Sequence, residues 1–293
     1  LEAPAFAKLN LTLEVLGRRD DGYHEIRSVL QTIDLADRLE IVPASSLSVE
    51  CDDASLNGET NLVWRAAAAL AERGNTEPRA HIYIHKRIPV AMGLGGGSSD
   101  AATALMVLNQ LWGLDLTIED LAQVAGTIGS DVAFFLSGGT ALVTGRGEQV
   151  TPLPPLPPVA VILVCPKSTV PNKTASVYSA LTPGQYSDGG ITRRMTEILL
   201  GGHFVRESVA GLLYNVFDEV ASRVFPDLGR VRRQLDELAL GRYRLTGAGP
   251  GLFGLPSSEL DYQRVANALQ PYGAEVYLVV TTSPESFAGV ETR

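Results

Sequence analysis

Three stretches of this sequence carry residue types suited to handling anions and protons. The first is PVAMGLGGGSSDAA, from Pro89 to Ala102. Glycine adopts positive φ and lets a ligand approach the main chain closely. The first amides of a helix have no partner inside it, and the helix dipole there favours negative charge. Gly93, Gly95, Gly96 and Gly97, followed by Ser98, Ser99 and the small Ala101 and Ala102, therefore read as a phosphate cradle that opens a helix. A turn ahead of a core helix would use the same glycines, and the stretch alone leaves the two readings even. The second stretch is AFAKLNLTLEVLG, in which Lys8 and Asn10 project from one side of an alternating segment. The third is GSD, where Asp131 opens a short helical run; a carboxylate there can take a proton or simply complement the helix terminus.

These residues need elements to hold them. Ala7, Leu9, Leu11, Leu13 and Val15 alternate with Phe6, Lys8, Asn10, Thr12 and Glu14, which predicts a strand with one apolar and one polar face. After the turn GRRDDG, a second strand runs from Tyr23 with a bend or break near Asp34. Asn61 is placed to cap a helix that ends at Gly74, and Thr117 with Asp120 forms a capping box. Ser130 is placed to cap the run at Asp131. VRESVAGLLYNVF reads as one helix, and VAVILVC and EVYLVVTT read as strands. The proline-rich TPLPPLPP, Thr151 to Pro158, breaks the chain into expected units at 1–154 and 155–293, both α+β.

The bulk properties narrow the function class. The chain has 293 residues and a net charge of −9, which argues against a general binder of nucleic acid or of anionic membranes. No apolar run reaches spanning length and no signal pattern opens the chain, although a trimmed leader before Leu1 stays open. Cys51 and Cys165 form no metal or disulfide pattern, so a reducing, cytoplasmic setting is expected. His81 and His85 have no acidic or cysteine partner at metal spacing, and no protein metal ligands are expected. Gly249, Gly251 and Gly254 match a dinucleotide fingerprint formally, but a strand rather than a helix should follow.

No lysine follows the glycine loop, so it is not a Walker motif. Pro89, Gly93-Leu94-Gly95, Ser98-Ser99 and Ala101-Ala102 instead resemble the phosphate loop of the GHMP kinases, small-molecule kinases that use ATP. PAFAKLNLTLEVLGRRDDGYHEIRSV, GSDVAFFLSGGTALVTGRGE and LTGAGPGLFGL extend the likeness over nearly the whole chain. They narrow it to the branch that phosphorylates the 2-hydroxyl of a CDP-linked methylerythritol. The resemblance implies a two-domain fold, with an N-terminal unit like ribosomal protein S5 domain 2 and a ferredoxin-like C-terminal unit. The site would lie between them. Asp131 would accept the substrate hydroxyl proton beside Lys8, with Asn10 near the substrate. Asn61, Lys86 and the loop Pro89, Gly93, Leu94, Gly95, Gly96, Gly97, Ser98 and Ser99 would hold ATP with Mg2+, Ser99 being a candidate to lie near the metal.

Tyr23 and Tyr178 would sandwich the cytosine while His24 reads its edge. Thr246, Gly247 and Gly249 would approach phosphates, although Ala248 and Gly251 stand where hydroxyl residues are often found. A kinase for a small unconjugated alcohol would have no base for Tyr23 and His24 to hold. The partners expected are ATP and the small-molecule acceptor, with no nucleic acid or membrane, for a monomer or weak homodimer.

Overall fold

The computed structural model describes residues 1–168, 170–202 and 204–283; positions 284–293 of the expected second unit lie outside them. The first part of the chain runs β1 Glu2–Arg18, β2 His24–Val42, β3 Ser48–Cys51, α1 Leu62–Arg73, β4 His81–His85, α2 Gly96–Leu111, α3 Ile118–Ile128, α4 Val132–Phe135, β5 Thr140–Gly145 and β6 Gln149–Pro152. The rest runs β7 Ala160–Cys165, α5 Lys173–Ser179, α6 Gly190–Leu200, α7 Arg206–Leu212, β8 Tyr214–Asn215, α8 Ala221–Val224, α9 Leu228–Leu238, β9 Arg244–Leu245, β10 Leu252–Gly254, α10 Glu259–Leu269 and β11 Glu275–Val280.

Two sheets organise these elements. The larger is ordered β3-β4-β2-β1-β8, with β5 and then β6 pairing off β2. Its centre is the long β1–β2 hairpin, closed by a tight turn in which Gly22 takes φ +85°. β2 does not break at Asp34. It continues, and Asp34 and Leu35 bulge where the register jumps between Phe6 and Ala7. The first half of β2 pairs with β5 and the second half with β4, so the bulge lies where the outer partner changes.

The polar face expected on β1 is not open to water. Every residue from Ala7 to Val15 is buried, because β1 is an interior strand covered on both sides. Glu14 shows how this is tolerated: its carboxylate accepts from the Ser187 hydroxyl at 2.8 Å and the Thr192 amide at 2.7 Å, at the start of α6.

The smaller sheet, β11-β7-β10-β9, is antiparallel throughout. Counted along its own segment the order is 4-1-3-2, with α5–α9 in the first connection and α10 in the last, which is the ferredoxin-like arrangement. The expected single helix over VRESVAGLLYNVF ends at Leu212. Tyr214 and Asn215 join β1 in parallel, and Asn215 donates to the carbonyls of Leu245 and Gly247, each at 2.9 Å. Those partners lie about thirty residues downstream, out of reach of any local pattern.

Local signals held elsewhere. Asn61 caps α1 through the Val63 amide, and Thr117 with Asp120 forms the capping box of α3. At α4 the cap position belongs to Asp131 and not to Ser130, and no side chain caps that helix. Gly249–Gly254 leads into strand β10, as expected for a segment that is no dinucleotide loop.

Candidate active site

The carbonyl of Leu94 accepts the Lys8 amide at 2.9 Å, so the glycine loop is pinned to β1 where Lys8 leaves it. Gly95 begins α2 at φ +75°, and a Cβ there would lie 2.8 Å from the Phe135 ring and 3.1 Å from Lys8. Gly93 takes φ +84°, with the Thr246 carbonyl 2.0 Å from where its Cβ would be. The loop and the segment Thr246–Gly251 thus touch backbone to backbone, tied by Gly251 N–H to Met92 O at 3.2 Å and the Thr246 hydroxyl to Gly93 O at 3.3 Å.

A cavity of about 1560 Å³ opens over this junction. Its wall includes Lys8, Asn10, Tyr23, His24, Asn61, Lys86, Pro89, Asp131, Tyr178 and Gly247, together with the loop from Gly93 to Ser98. Ser99, Thr246 and Gly249 stand behind that wall, with Ser99 and Thr246 fully buried. Thr246 is a fastener between β1 and the loop, since its hydroxyl also accepts from the Asn10 amide at 3.3 Å.

Within the cavity, the Lys8 ammonium lies 3.7 Å from an Asp131 oxygen and donates to the Asn10 amide oxygen at 2.6 Å. Asn10 is oriented in turn by donating to Ser28 at 2.8 Å. Burial lowers the Lys8 pKa, and the attraction of Asp131 only partly offsets it. The Asp131 side chain is 38% exposed, so its carboxylate is open to a ligand.

Other expected residues are more committed. Lys86 donates to Asp37 and, at 2.8 Å, to Asp100, leaving one N–H for the cavity. Asp37 also accepts the amides of Arg87 and Ile88. Asn61 uses both ends of its amide, accepting from Val63 at 2.8 Å and donating to Leu56 O at 2.7 Å, so the helix-cap reading accounts for it. The rings also differ from a simple sandwich. Tyr178 lies against His24 at 4.9 Å with 30° between planes, and edge-on to Phe217 at 4.8 Å. Tyr23 is 54% exposed on the hairpin tip, with the Arg146 guanidinium 5.1 Å over its ring. Burial, followed by Arg18, lowers the His24 pKa, which favours the neutral ring.

Sequence reasoning gave no role to Lys173, Arg146, Arg18 or Tyr186, all on the cavity wall. The one signal for Lys173 in the sequence is that it is one of only four lysines in the chain. His81 and His85 bond to Ser48 and Glu40, each at 2.8 Å, away from the cavity.

Comparison with known proteins agrees with this geometry. Residues 61–139 match the GHMP kinases N terminal domain. The chain is 40% identical over 279 residues to the 4-diphosphocytidyl-2-C-methyl-D-erythritol kinase of Dehalococcoides mccartyi (strain ATCC BAA-2266 / KCTC 15142 / 195), covering 95% of this chain and 97% of that one. It is 38% identical over 282 residues to the same-named protein of Shouchella clausii (strain KSM-K16), covering 95% and 93%. A crystal structure of 4-(cytidine 5'-diphospho)-2C-methyl-D-erythritol kinase superposes with a TM-score of 0.78 at 35% identity, covering 97% of this chain and all of that one. A mevalonate kinase from Methanococcus jannaschii, at 16% identity and a TM-score of 0.71 over 97% and 98% of the two chains, shares the fold. With that likeness along nearly its whole length, the chain belongs to the 4-diphosphocytidyl-2-C-methyl-D-erythritol kinases, a branch of the GHMP kinases.

Proposed function

We propose that this kinase transfers the γ-phosphoryl group of ATP to the 2-hydroxyl of 4-diphosphocytidyl-2-C-methyl-D-erythritol at the Lys8–Asp131 pair. The observation that carries the reading is one cavity holding three parts: the glycine loop, the Lys8–Asp131 pair and the His24–Tyr178 ring face. The loop and the opening amides of α2 would take the polyphosphate. Asp131 would hold the acceptor hydroxyl and take its proton, while Lys8 offsets charge on the transferred group. Phosphoryl transfer through a loose transition state needs positioning and charge stabilisation more than a strong base. Asn10 keeps the Lys8 ammonium aimed. Tyr178 would stack on the cytosine and His24 would bond its edge, with Tyr23 and its Arg146 cap closing from the hairpin tip.

Mg2+ would arrive on the polyphosphate and neutralise its charge. Beside the loop, the buried Ser99 hydroxyl and one oxygen of Asp100, which lies on the cavity wall, have no hydrogen-bond partner and are the groups that would meet it. The two sheets are read as two domains divided near the proline-rich 151–158. The protein is read as a monomer or weak homodimer. Two buried free cysteines suit a reducing cytoplasm.

The test is incubation with ATP and a panel of acceptors, following ADP. ADP release should require the CDP-linked methylerythritol. Equal turnover of mevalonate or homoserine would overturn the assignment.

A further inference from the structure

Lys173 opens α5, the helix that carries Tyr178, and its side chain reaches across the cavity mouth to the other half of the protein. The ammonium donates to the Ala91 carbonyl at 2.6 Å. Ala91 belongs to the lead-in of the glycine loop and sits at φ +66°, a conformation a residue with a Cβ adopts only when its surroundings impose it. Lys173 lines the same cavity as Lys8 and Asp131, and the charges of both act on it. No salt bridge joins it to a carboxylate among the described residues, although Lys86 has two and Lys8 has one. A half-buried ammonium with no ion-pair partner, sharing a cavity with a second ammonium, is an unfavourable arrangement. Burial first, then Lys8, push its pKa down to about 8. An anion in the cavity would relieve both effects.

We propose that Lys173 is a phosphate-binding residue that joins the two halves of the site by pairing with a substrate phosphate. The proposal rests on the kinase reading above. Two phosphates share this chemistry, the diphosphate of the acceptor and the phosphoryl group in transit. Position favours the first: five residues along the helix separate Lys173 from Tyr178, a rise of roughly 7.5 Å, about the span from a stacked base to its own phosphates. A cation on the ring-bearing helix would thus register the acceptor against the ring.

The experiment compares Lys173→Met, Lys173→Gln and Lys173→Arg in the full chain. It measures kcat, KM for ATP and for the acceptor, and calorimetric affinity for CDP alone and ADP alone. Losing a charge-assisted contact should cost roughly ten- to a hundredfold. Lys173→Met should show that loss, Lys173→Arg should recover most of it, and Lys173→Gln, which keeps an N–H donor but no charge, should not. Weaker CDP binding with a higher acceptor KM identifies the diphosphate; a fall confined to kcat identifies the transferred group. Recovery by Lys173→Gln as good as by Lys173→Arg would reduce Lys173 to a tether and overturn the proposal. So would a Lys173→Met variant within about threefold of the parent in every measurement. If the parent binds CDP and ADP but does not phosphorylate the acceptor, the kinase reading fails separately, and the titrations still decide whether Lys173 meets phosphate.

Discussion

Lys8 and Lys86 border the same cavity, each beside a carboxylate, and the protein holds them in opposite ways. Lys86 is clamped between Asp37 and Asp100, and the two carboxylates outweigh burial and raise its pKa. Lys8 has Asn10 at 2.6 Å but its carboxylate only at 3.7 Å, and burial lowers its pKa. One cluster is filled; the other is left short of a partner. A filled cluster builds the wall, whereas a sparse one keeps interactions to offer to a ligand. The contrast teaches that a lysine beside a carboxylate is not itself the mark of a catalytic centre. What sets the Lys8 pair apart is a carboxylate at an open surface: the Asp131 side chain is 38% exposed, whereas Asp37 and Asp100 are buried.

The comparison can be broken first at the sparse centre. Asp131→Asn should lower turnover by roughly two to four orders of magnitude with folding and ATP binding retained. Steady-state kinetics and a thermal melt decide it, and activity within about threefold of the parent would leave Asp131 a helix-start residue. The filled cluster should respond the other way. Asp37→Ala strips Lys86 of one partner and orphans the amides of Arg87 and Ile88, so stability should drop by about 3–5 kcal/mol. Denaturant unfolding measures this, and a drop under about 1 kcal/mol would show that the cluster is not structural.

A third substitution sharpens the contrast by sparing both lysines. Tyr178→Ala should cost about 1–3 kcal/mol in acceptor binding, and Tyr178→Phe little, with ATP affinity unchanged in both. Normal acceptor binding by Tyr178→Ala would remove the ring from the base-binding face.

The smallest effect is one of pH. Burial, then Asp37, push the Asp100 carboxyl up to about 7 from its ordinary 3.8, against the pull of Lys86. The folded state then holds a proton the unfolded chain has released, so stability falls as pH rises from 3.8 to about 7 and levels off above. The raised pKa of Lys86 acts only above its ordinary 10.5, outside this window. Melting temperatures should fall more steeply across that range in the parent than in Asp100→Asn, in which the opposite contribution of the lowered His24 pKa, a rise below 6.5, remains. Equal slopes in the two would place the titrating group elsewhere.

Much of this was legible in the sequence because its causes are local. A capping residue, a glycine needing positive φ and an alternating strand each act within a few positions. That is why Asn61, Gly93, Gly95 and the capping box of Thr117 could be read directly. The failures share the opposite cause. Asp37 meets Lys86 from 49 positions away, Thr246 meets Asn10 from 236, and β8 exists only because β1 is there to pair with. Lys8 and Lys86 look alike in the sequence, and only these distant partners separate a wall from a centre.

The interlock of Gly93 with Thr246 has a consequence for how the protein is made. The two are 153 residues apart, and the loop's floor is the backbone of the later segment. A chain emerging from the ribosome at about 5–20 residues per second therefore carries its glycine loop for roughly eight to thirty seconds before that floor exists. Over that interval β1, α1 and α2 can fold, but the loop cannot take its final form. The geometry of the loop is thereby completed only when nearly all of the described chain has been synthesised.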